Sequence, residues 1–297
     1  MRRVIDLSGS TSASEKGVFR VRVAQGCLLI SHGTEEDPDE VRIPAHEVAV
    51  LVLGNRLALT GAVLGLLASS GAAVVVLDER YTPVGLMLPV AANTLHTERL
   101  RLQIEKLPGL APGLWQEIIQ AKILAQAKLV PTASLEGLVE LVLPGDSGNI
   151  EAQAARRYWP ALFGQGFKRH GEDVTNSKLN YGYAVLRGLV ARCVCAAGLH
   201  PALGIHHRNY RNAFVLADDL MEPMRPMVDA VVARKPEGLL DVHAKRGLLG
   251  VATTEVLVDG KSHKLIEACE ILCQSLVGVL EGKGEHLTIP TATPVKP

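Results

Sequence analysis

The sequence predicts an α+β protein with two domains: a small β-rich N-terminal domain with one helix over residues 1–90, and a larger all-α C-terminal domain over residues 91–297. Short runs of Val, Ile and Leu, bounded by Gly and Pro, fill the first part, as is typical of strands. After Pro89 the apolar residues recur with helical periodicity. At 47% hydrophobic residues, the chain has enough apolar material for one large core or two smaller ones.

The N-terminal domain is predicted to consist of short strands around a single helix. An acidic loop at 35–40 separates two of the strands, and the helix is expected over residues 57–69, with Asn55 or Thr60 as its possible start. A turn at Thr82 and Pro83 precedes the last strand. The strands are predicted in the segments VIDLSG, GVFRVRVAQGCLLIS, EVRIPAHEVAVLVL, AAVVVLDE and VGLMLPV.

The C-terminal domain is predicted to be helical, with the breakers PGLAPG and VPTA between its first helices. Asp146 or Ser147 is expected to cap the helix in GNIEAQAARRYWPALFG. Pro223 is expected near the first turn of a helix that continues to Val232. The Pro- and Thr-rich tail PTATPVKP is predicted to be disordered. The other helices are predicted at 94–106, 113–129, 133–143, 177–197, 239–248 and 264–282.

The five cysteines indicate a reducing environment. Their number is odd, and no paired CxxC spacing occurs, so we expect reduced, buried thiols in the cytoplasm and no zinc site. The apolar run at 48–77 is interrupted by Gly and polar residues, and the N-terminus lacks an apolar run typical of a signal peptide. We therefore expect neither a membrane span nor a signal peptide.

Charge is zoned along the chain. Lys plus Arg equals Asp plus Glu at 31 each. However, residues 148–211 contain nine Lys or Arg and three acids. A basic zone of this kind favours a nucleic acid over a small neutral ligand.

The segment GIHHRNYRNAFVLADDLMEPMRP, residues 204–226, combines histidines, acids and arginines. Imidazole and carboxylate together suit a divalent metal such as Mn²⁺, and arginines suit phosphate, so the segment suggests phosphoryl transfer on a nucleic acid. The alternative is an ordinary solvated helix face. The residues concerned are His206, His207, Asp218, Asp219, Glu222, Arg208, Arg211 and Arg225.

Four motifs occur in a fixed order: GNIEAQAARRYW, LNYGYAVLRG, LHPALGIHHRN and ADDLMEPMRP. Together they resemble the CRISPR-associated integrase family called Cas one (Cas1), and the YGY and GIHH forms resemble its type II branch. The resemblance covers essentially the whole chain. It implies a β-rich dimerisation domain followed by an all-helical, metal-dependent catalytic domain.

The resemblance also implies a site. Its metal ligands and catalytic residues would be Glu151 in GNIEA, His207 in GIHH and Glu222 in DLMEP, holding Mg²⁺ or Mn²⁺. His206 remains the alternative ligand, and Asp219 would support the site or share the metal. Two carboxylates and one imidazole leave positions on such a metal for a phosphate oxygen and an attacking hydroxyl.

Other residues receive supporting roles. Asn180 and Tyr181 are expected near the metal ligands, although the tyrosines could instead pack in the core, the role that we favour for Tyr183. Arg225 could contact phosphate or pair with Glu222 or Asp219 on its own helix. The candidate DNA-binding residues are Arg156, Lys168, Arg169, Arg208 and Arg225.

The implied function is insertion of short foreign DNA (protospacers) into a CRISPR array, by attack of DNA 3′-hydroxyls on the repeat, with endonuclease activity as part of the same chemistry. The implied partners are double-stranded DNA, a second copy of the chain, the Cas two (Cas2) protein in a heterohexamer, and other type II adaptation proteins, in the bacterial cytoplasm. The alternative hypothesis is a non-catalytic helical DNA-binding scaffold. A nucleotide phosphohydrolase is disfavoured because no adjacent His-Asp pair occurs. ATP hydrolysis is disfavoured because the sequence has no Walker motif.

Overall fold

The computed structural model describes residues 2–8, 18–33, 38–79, 83–89 and 93–292. Within them the protein is α+β, with a β-rich N-terminal region followed by a helical C-terminal region. Parts of three sequence predictions lie outside the described residues, namely the loop at 35–37, the turn at Thr82 and the end of the tail at 293–297.

The first sheet is formed by β1 (Arg3–Leu7), β5 (Val48–Leu53), β7 (Ala73–Leu77) and β8 (Pro83–Met87), in this spatial order. The first three strands run parallel, and β8 is antiparallel to β7 at the edge. Every residue of β5 is buried, as expected for a central strand that is covered on both faces.

The second sheet has the order β4 (Pro38–Pro44), β3 (Cys27–Gly33), β2 (Phe19–Ala24) and β6 (Leu57–Leu59). Helix α1 (Gly61–Ser69) follows β6. Of the two predicted starts of this helix, Thr60 agrees with the structure, since it caps α1, whereas residues 57–59 form β6, which pairs in parallel with β2.

The C-terminal region is built around two long helices, α2 (His96–Leu129) and α5 (Val174–Ala196). The helices predicted at 177–197 and 264–282 are confirmed, with small shifts at their ends. The remaining helices are α3 (Glu136–Val139), α4 (Ile150–Phe163), α6 (Val215–Leu220), α7 (Arg225–Ala233), α8 (Val242–Gly250) and α9 (Leu265–Leu280).

The break predicted at PGLAPG does not occur, because α2 continues through Pro108 and Pro112. A proline inside a helix removes a backbone hydrogen bond and normally ends or kinks the helix. Here Leu107, Ala111 and Leu114 are buried along the same segment, and their packing offsets that loss. The helix predicted at 133–143 is too long. Only α3 is helical there, since Ser134 adopts a left-handed backbone with φ of 50° and α3 begins after it.

The prediction of an all-α C-terminal domain was wrong. Strands β10 (Lys261–Lys264), β9 (Glu255–Val258) and β11 (Thr291–Ala292) form an antiparallel sheet in this order. The hairpin between β9 and β10 turns at Asp259 and Gly260, both with positive φ, as an Asp-Gly turn between two strands requires. Strand β11 comes from the tail that was predicted to be disordered, so the described part of that tail is ordered by pairing with β9.

The first sheet is packed on both faces. Val50 and Val52 of β5 join the core of the helical region, whereas Leu51 and Leu53 face the second sheet and α1. Helix α5 approaches closely at Gly188, where a Cβ would lie 2.6 Å from Cγ2 of Val75. The apolar core is therefore continuous across the domain boundary that was predicted at residue 90.

Among the described residues, no helix is both long enough and apolar enough to cross a membrane.

Candidate active site

Glu151 lies in the first turn of α4. Asp146, one of the two residues predicted to cap this helix, accepts the backbone N–H groups of Ile150 at 2.8 Å and of Glu151 at 3.0 Å. A carboxylate at this end of a helix satisfies N–H groups that have no partner within the helix. The start of α4, and with it Glu151, is thereby fixed.

Glu222 lies in a 3₁₀ turn, Glu222–Met224, between α6 and α7. Glu222 is only 4% exposed. Nη2 of Arg225 lies 3.0 Å from its Oε1 atom, so the predicted pairing of Arg225 with Glu222 is present in the structure. A buried carboxylate needs such a cationic partner to remain charged.

Lys122 of α2 joins the two glutamates. Its Nζ atom lies 2.5 Å from Oε1 of Glu151 and 2.6 Å from Oε2 of Glu222, and its side chain is 13% exposed. Burial alone would lower the pKa of Lys122, but the charges of Glu222 and Glu151 outweigh it and raise that pKa. Burial alone would raise the pKa of Glu222, and Lys122 and Arg225 instead lower it. Lys122 and Glu222 are therefore both ionised at neutral pH.

One oxygen of this cluster is poorly satisfied. Oε2 of Glu222 is shielded from solvent, and among the described residues no donor meets it in hydrogen-bonding geometry, although Lys122 is close. The ammonium of Lys122, 2.6 Å away, is the positive charge that compensates this oxygen.

His207 lies in the loop between α5 and α6 and is held by Asp219. Nδ1 of His207 is 2.5 Å from Oδ1 of Asp219, and this hydrogen bond raises the pKa of His207. Asp219 is fully buried and also accepts the backbone N–H groups of Ile205 at 2.7 Å and His206 at 2.8 Å. Asp219 thus anchors the loop between α5 and α6 (residues 197–214, the histidine loop) on α6.

The two adjacent histidines have different surroundings. The ring of His206 stacks on Trp115 with a centroid distance of 4.3 Å and an interplanar angle of 3°. Burial lowers the pKa of His206. Both histidines are exposed, but His207 borders a cleft of about 540 Å³ between α2 and the histidine loop, and His206 does not line it. His207 is therefore the histidine that a ligand in this cleft would reach.

Asn180 and Tyr181 contact other parts of the protein. The Oδ1 atom of Asn180 accepts a hydrogen bond from Arg169 at 2.9 Å. The hydroxyl of Tyr181 donates to Asp6 of β1 at 2.9 Å. These contacts tie α5 to the loop before it and to the first sheet, and neither involves Glu151, His207 or Glu222.

Tyr183 is buried, in agreement with the packing role that we favoured. Its hydroxyl donates to Asp229, and its ring lies 4.9 Å from the guanidinium carbon of Arg225. Because Arg225 also binds Glu222, Tyr183 contributes to the surroundings of the site through this arginine.

The candidate DNA-binding residues differ in accessibility. Arg156, Lys168 and Arg208 are exposed. Arg169 instead donates to Asn176 and Asn180, so its guanidinium has an internal role. Arg225 is occupied by Glu222 and Tyr183.

The structure does not assemble the predicted metal ligands into a finished metal site. Among the described residues, no three His, Cys, Asp or Glu side chains are arranged so that they could hold a metal ion. Glu151 and Glu222 both contact Lys122. The Nδ1 atom of His207 faces Asp219.

Sequence reasoning missed Lys122 and Arg187. Lys122 is the single charged residue in the largely apolar stretch IIQAKILAQA, and a lysine in such a stretch signals a buried acidic partner. Arg187 of α5 binds both carboxylate oxygens of Asp218, at 2.6 and 2.8 Å. This pair had no local signal, because the two residues are 31 positions apart.

Comparison with known proteins gives the family. The profile described as CRISPR associated protein Cas1 matches residues 15–137 and 148–236, and so places the chain among CRISPR-associated proteins. A protein named CRISPR-associated endonuclease Cas1, from Neisseria meningitidis, is 34% identical over 276 residues, 88% of this chain and 91% of its own length. A Pyrobaculum aerophilum protein of the same family is 30% identical over 77% of this chain and 83% of its own length. This chain belongs to the Cas1 family.

Solved structures share the fold at low sequence identity. A casposase bound to integration product has a TM-score of 0.78 at 19% identity, covering 96% of this chain and 92% of its own. A Cas1 protein from Thermotoga maritima has a TM-score of 0.72 at 14% identity, covering 95% and 98%. A chain of a Cas6-RT-Cas1–Cas2 complex has a TM-score of 0.73 at 16% identity, covering 99% of this chain and 36% of that one.

Proposed function

We propose that this protein is a metal-dependent DNA endonuclease and integrase, which inserts short double-stranded DNA into a CRISPR array by attack of DNA 3′-hydroxyls on the repeat. One observation carries the proposal. Glu151 and Glu222, from segments far apart in the sequence, both reach the same point at Lys122. Membership of the Cas1 family, and a fold shared with a casposase that was solved bound to integration product, support the same reaction.

The residues present suit a divalent metal. Glu151 and Glu222 offer carboxylate oxygens that both lie against the same point, where the ammonium of Lys122 is their shared cationic partner. His207 adds an imidazole, a donor set that suits Mg²⁺ or Mn²⁺. When bound, such an ion polarises a phosphate and activates a hydroxyl as nucleophile.

The surrounding side chains hold these ligands in place. Asp219 accepts a hydrogen bond from the Nδ1–H group of His207, which leaves Nε2 as the nitrogen that can bind a metal. Arg225 holds the other oxygen of Glu222. This arrangement supports His207, rather than His206 on Trp115, as the histidine ligand.

DNA would approach from the side of the cleft beside His207. Arg208 lines this cleft, and Tyr210 at its rim is fully exposed. Lys168 and Arg156 offer further exposed cations for phosphates. The protein would act on DNA in the bacterial cytoplasm, where the array is.

We further propose that the protein works as a homodimer, and that two dimers are bridged by Cas2 in a heterohexamer, with other type II adaptation proteins where the host has them. The support comes from relatives, because two structural neighbours are described as complexes that contain Cas1 and Cas2. Mass measurement of the protein, alone and mixed with Cas2, tests this assembly.

A strand-transfer assay tests the function. Wild type, Glu151→Ala and the exposed control Glu140→Ala receive short duplex DNA and a supercoiled plasmid that bears a repeat, with Cas2, in Mn²⁺ or in EDTA. We expect joining that requires Mn²⁺, is lost in Glu151→Ala and persists in Glu140→Ala. DNA binding without joining or cutting in any metal would instead establish a non-catalytic scaffold.

A further inference from the structure

Lys122 is the shared partner of both glutamates that we propose as metal ligands. Its Nζ atom lies within 2.6 Å of an oxygen of each, and those two oxygens come from α4 and from the turn before α7. Only 13% of the lysine side chain is exposed. An ammonium at this distance from two carboxylates occupies the region in which both would contact a metal.

The net charge around Lys122 determines what a metal ion would have to displace. Glu151 and Glu222 carry two negative charges, and Lys122 and Arg225 carry two positive charges, so the cluster is already neutral. With both cations in place, a divalent ion would bring the net charge of these groups to +2 in a mostly buried place, which is costly, and displacement of one cation lowers it to +1. Arg225 is fixed by Glu222 and by the ring of Tyr183, whereas a lysine has a flexible four-carbon stem. Lys122 is therefore the cation that can leave.

We propose that Lys122 is a built-in counter-ion that competes with the divalent metal for Glu151 and Glu222. Its ammonium keeps the two carboxylates together and charged while no metal is bound. The metal displaces it, so Lys122 lowers the apparent metal affinity of the protein. This inference rests on the metal-dependent function proposed above.

The first test is a calorimetric titration with Mn²⁺ of wild type, Lys122→Met and Lys128→Met. Lys128 is exposed on the same helix and serves as the matched control. Methionine has a similar length but no charge, so we expect Lys122→Met to bind Mn²⁺ about tenfold more tightly or better, a difference of ~1.4 kcal/mol. We also expect it to melt at a lower temperature in EDTA, because two carboxylates then lack their shared partner. A purely structural salt bridge would lower the melting temperature without tightening metal binding.

The second test needs no variant and decides the matter if Lys122→Met does not fold. Wild-type protein is treated with an amine-acetylating reagent in Mn²⁺ or in EDTA, and acetylation of each lysine is measured by mass spectrometry. We expect acetylation of Lys122 to rise at least several-fold in Mn²⁺, because the released ammonium becomes accessible, and acetylation of Lys128 to stay constant.

The outcomes separate this inference from the proposed function. If wild type binds Mn²⁺ and Lys122→Met binds it equally or more weakly, the counter-ion role is refuted and the metal-dependent function stands. Lys122 acetylation that does not change in Mn²⁺ would likewise refute the counter-ion role and leave the metal-dependent function standing. If neither wild type nor Lys122→Met binds Mn²⁺ or Mg²⁺, both the counter-ion role and the metal-dependent function are refuted.

Discussion

Asp219 and His207 form the contact that organises the histidine loop, with Nδ1 of His207 2.5 Å from Oδ1 of Asp219. The same carboxylate accepts the backbone N–H groups of Ile205 and His206. Asp219 is fully buried, so these hydrogen bonds are shielded from water. The GIHH and ADDLMEP motifs are therefore parts of one structural unit.

We predict that Asp219→Asn lowers the rate of DNA joining by about 10- to 100-fold, the usual effect of removing a carboxylate that orients a metal-binding histidine. An amide has one acceptor oxygen in place of two, and its NH₂ group would face N–H donors. Joining rates and thermal unfolding by circular dichroism measure the effect, with the exposed Asp259→Asn as control. A wild-type joining rate in Asp219→Asn would show that this contact only stabilises the fold.

We predict that His207→Ala folds but loses joining and cutting, whereas His206→Ala keeps a good part of both. His207 borders the cleft with its Nδ1 atom held by Asp219, and His206 stacks on Trp115. Rates for both variants in Mn²⁺ give the comparison. The reverse order of effects would assign the ligand role to His206.

We predict that Lys168→Ala weakens DNA binding and reduces the slope of log Kd against log salt concentration by about 1, as loss of one phosphate contact should. Arg169→Ala should lower thermal stability as well, because Arg169 holds Asn176 and Asn180. Binding isotherms at several salt concentrations and melting curves measure both effects. An unchanged slope for Lys168→Ala would remove that residue from the DNA-binding surface.

We predict that the stability of the wild type depends on Asp229 between pH 4 and pH 6. Burial raises the pKa of this carboxyl from 3.8 to about 6, while hydrogen bonds from Tyr183 and Tyr158 act in the opposite direction. In this pH range the folded protein binds a proton that the unfolded chain has released, so the free energy of unfolding falls as pH rises.

Asp229→Asn removes this titration. Relative to the wild type, the variant should gain about 2.5 kcal/mol in unfolding free energy between pH 4 and pH 7, since one pKa unit corresponds to about 1.4 kcal/mol and most of the shift is expressed in this range. Urea unfolding at a series of pH values measures the difference between the two proteins. Parallel stability curves would show that Asp229 titrates at its ordinary pKa in the folded protein.

Local patterns in the sequence were sufficient for much of the architecture. Alternating and continuous apolar runs predicted the strands of the N-terminal region except β6, whose residues were assigned to a helix, and helical periodicity predicted α5 and α9. The Asp-Gly turn of the β9–β10 hairpin was also a local signal, but it was missed because the residues between the helices predicted at 239–248 and 264–282 were assigned no structure.

The sequence by itself determined the family motifs and the candidate residues Glu151, His207 and Glu222, because residue identity and spacing are local properties of the chain. Only the tertiary structure decided that Lys122 joins the two glutamates and that Asp219 holds the histidine loop. It also decided that α2 continues through its two prolines and that the described part of the tail adds a strand to β9. These features depend on which distant segments pack together, and that choice is made by the burial of apolar surface and the pairing of buried charges over the whole chain.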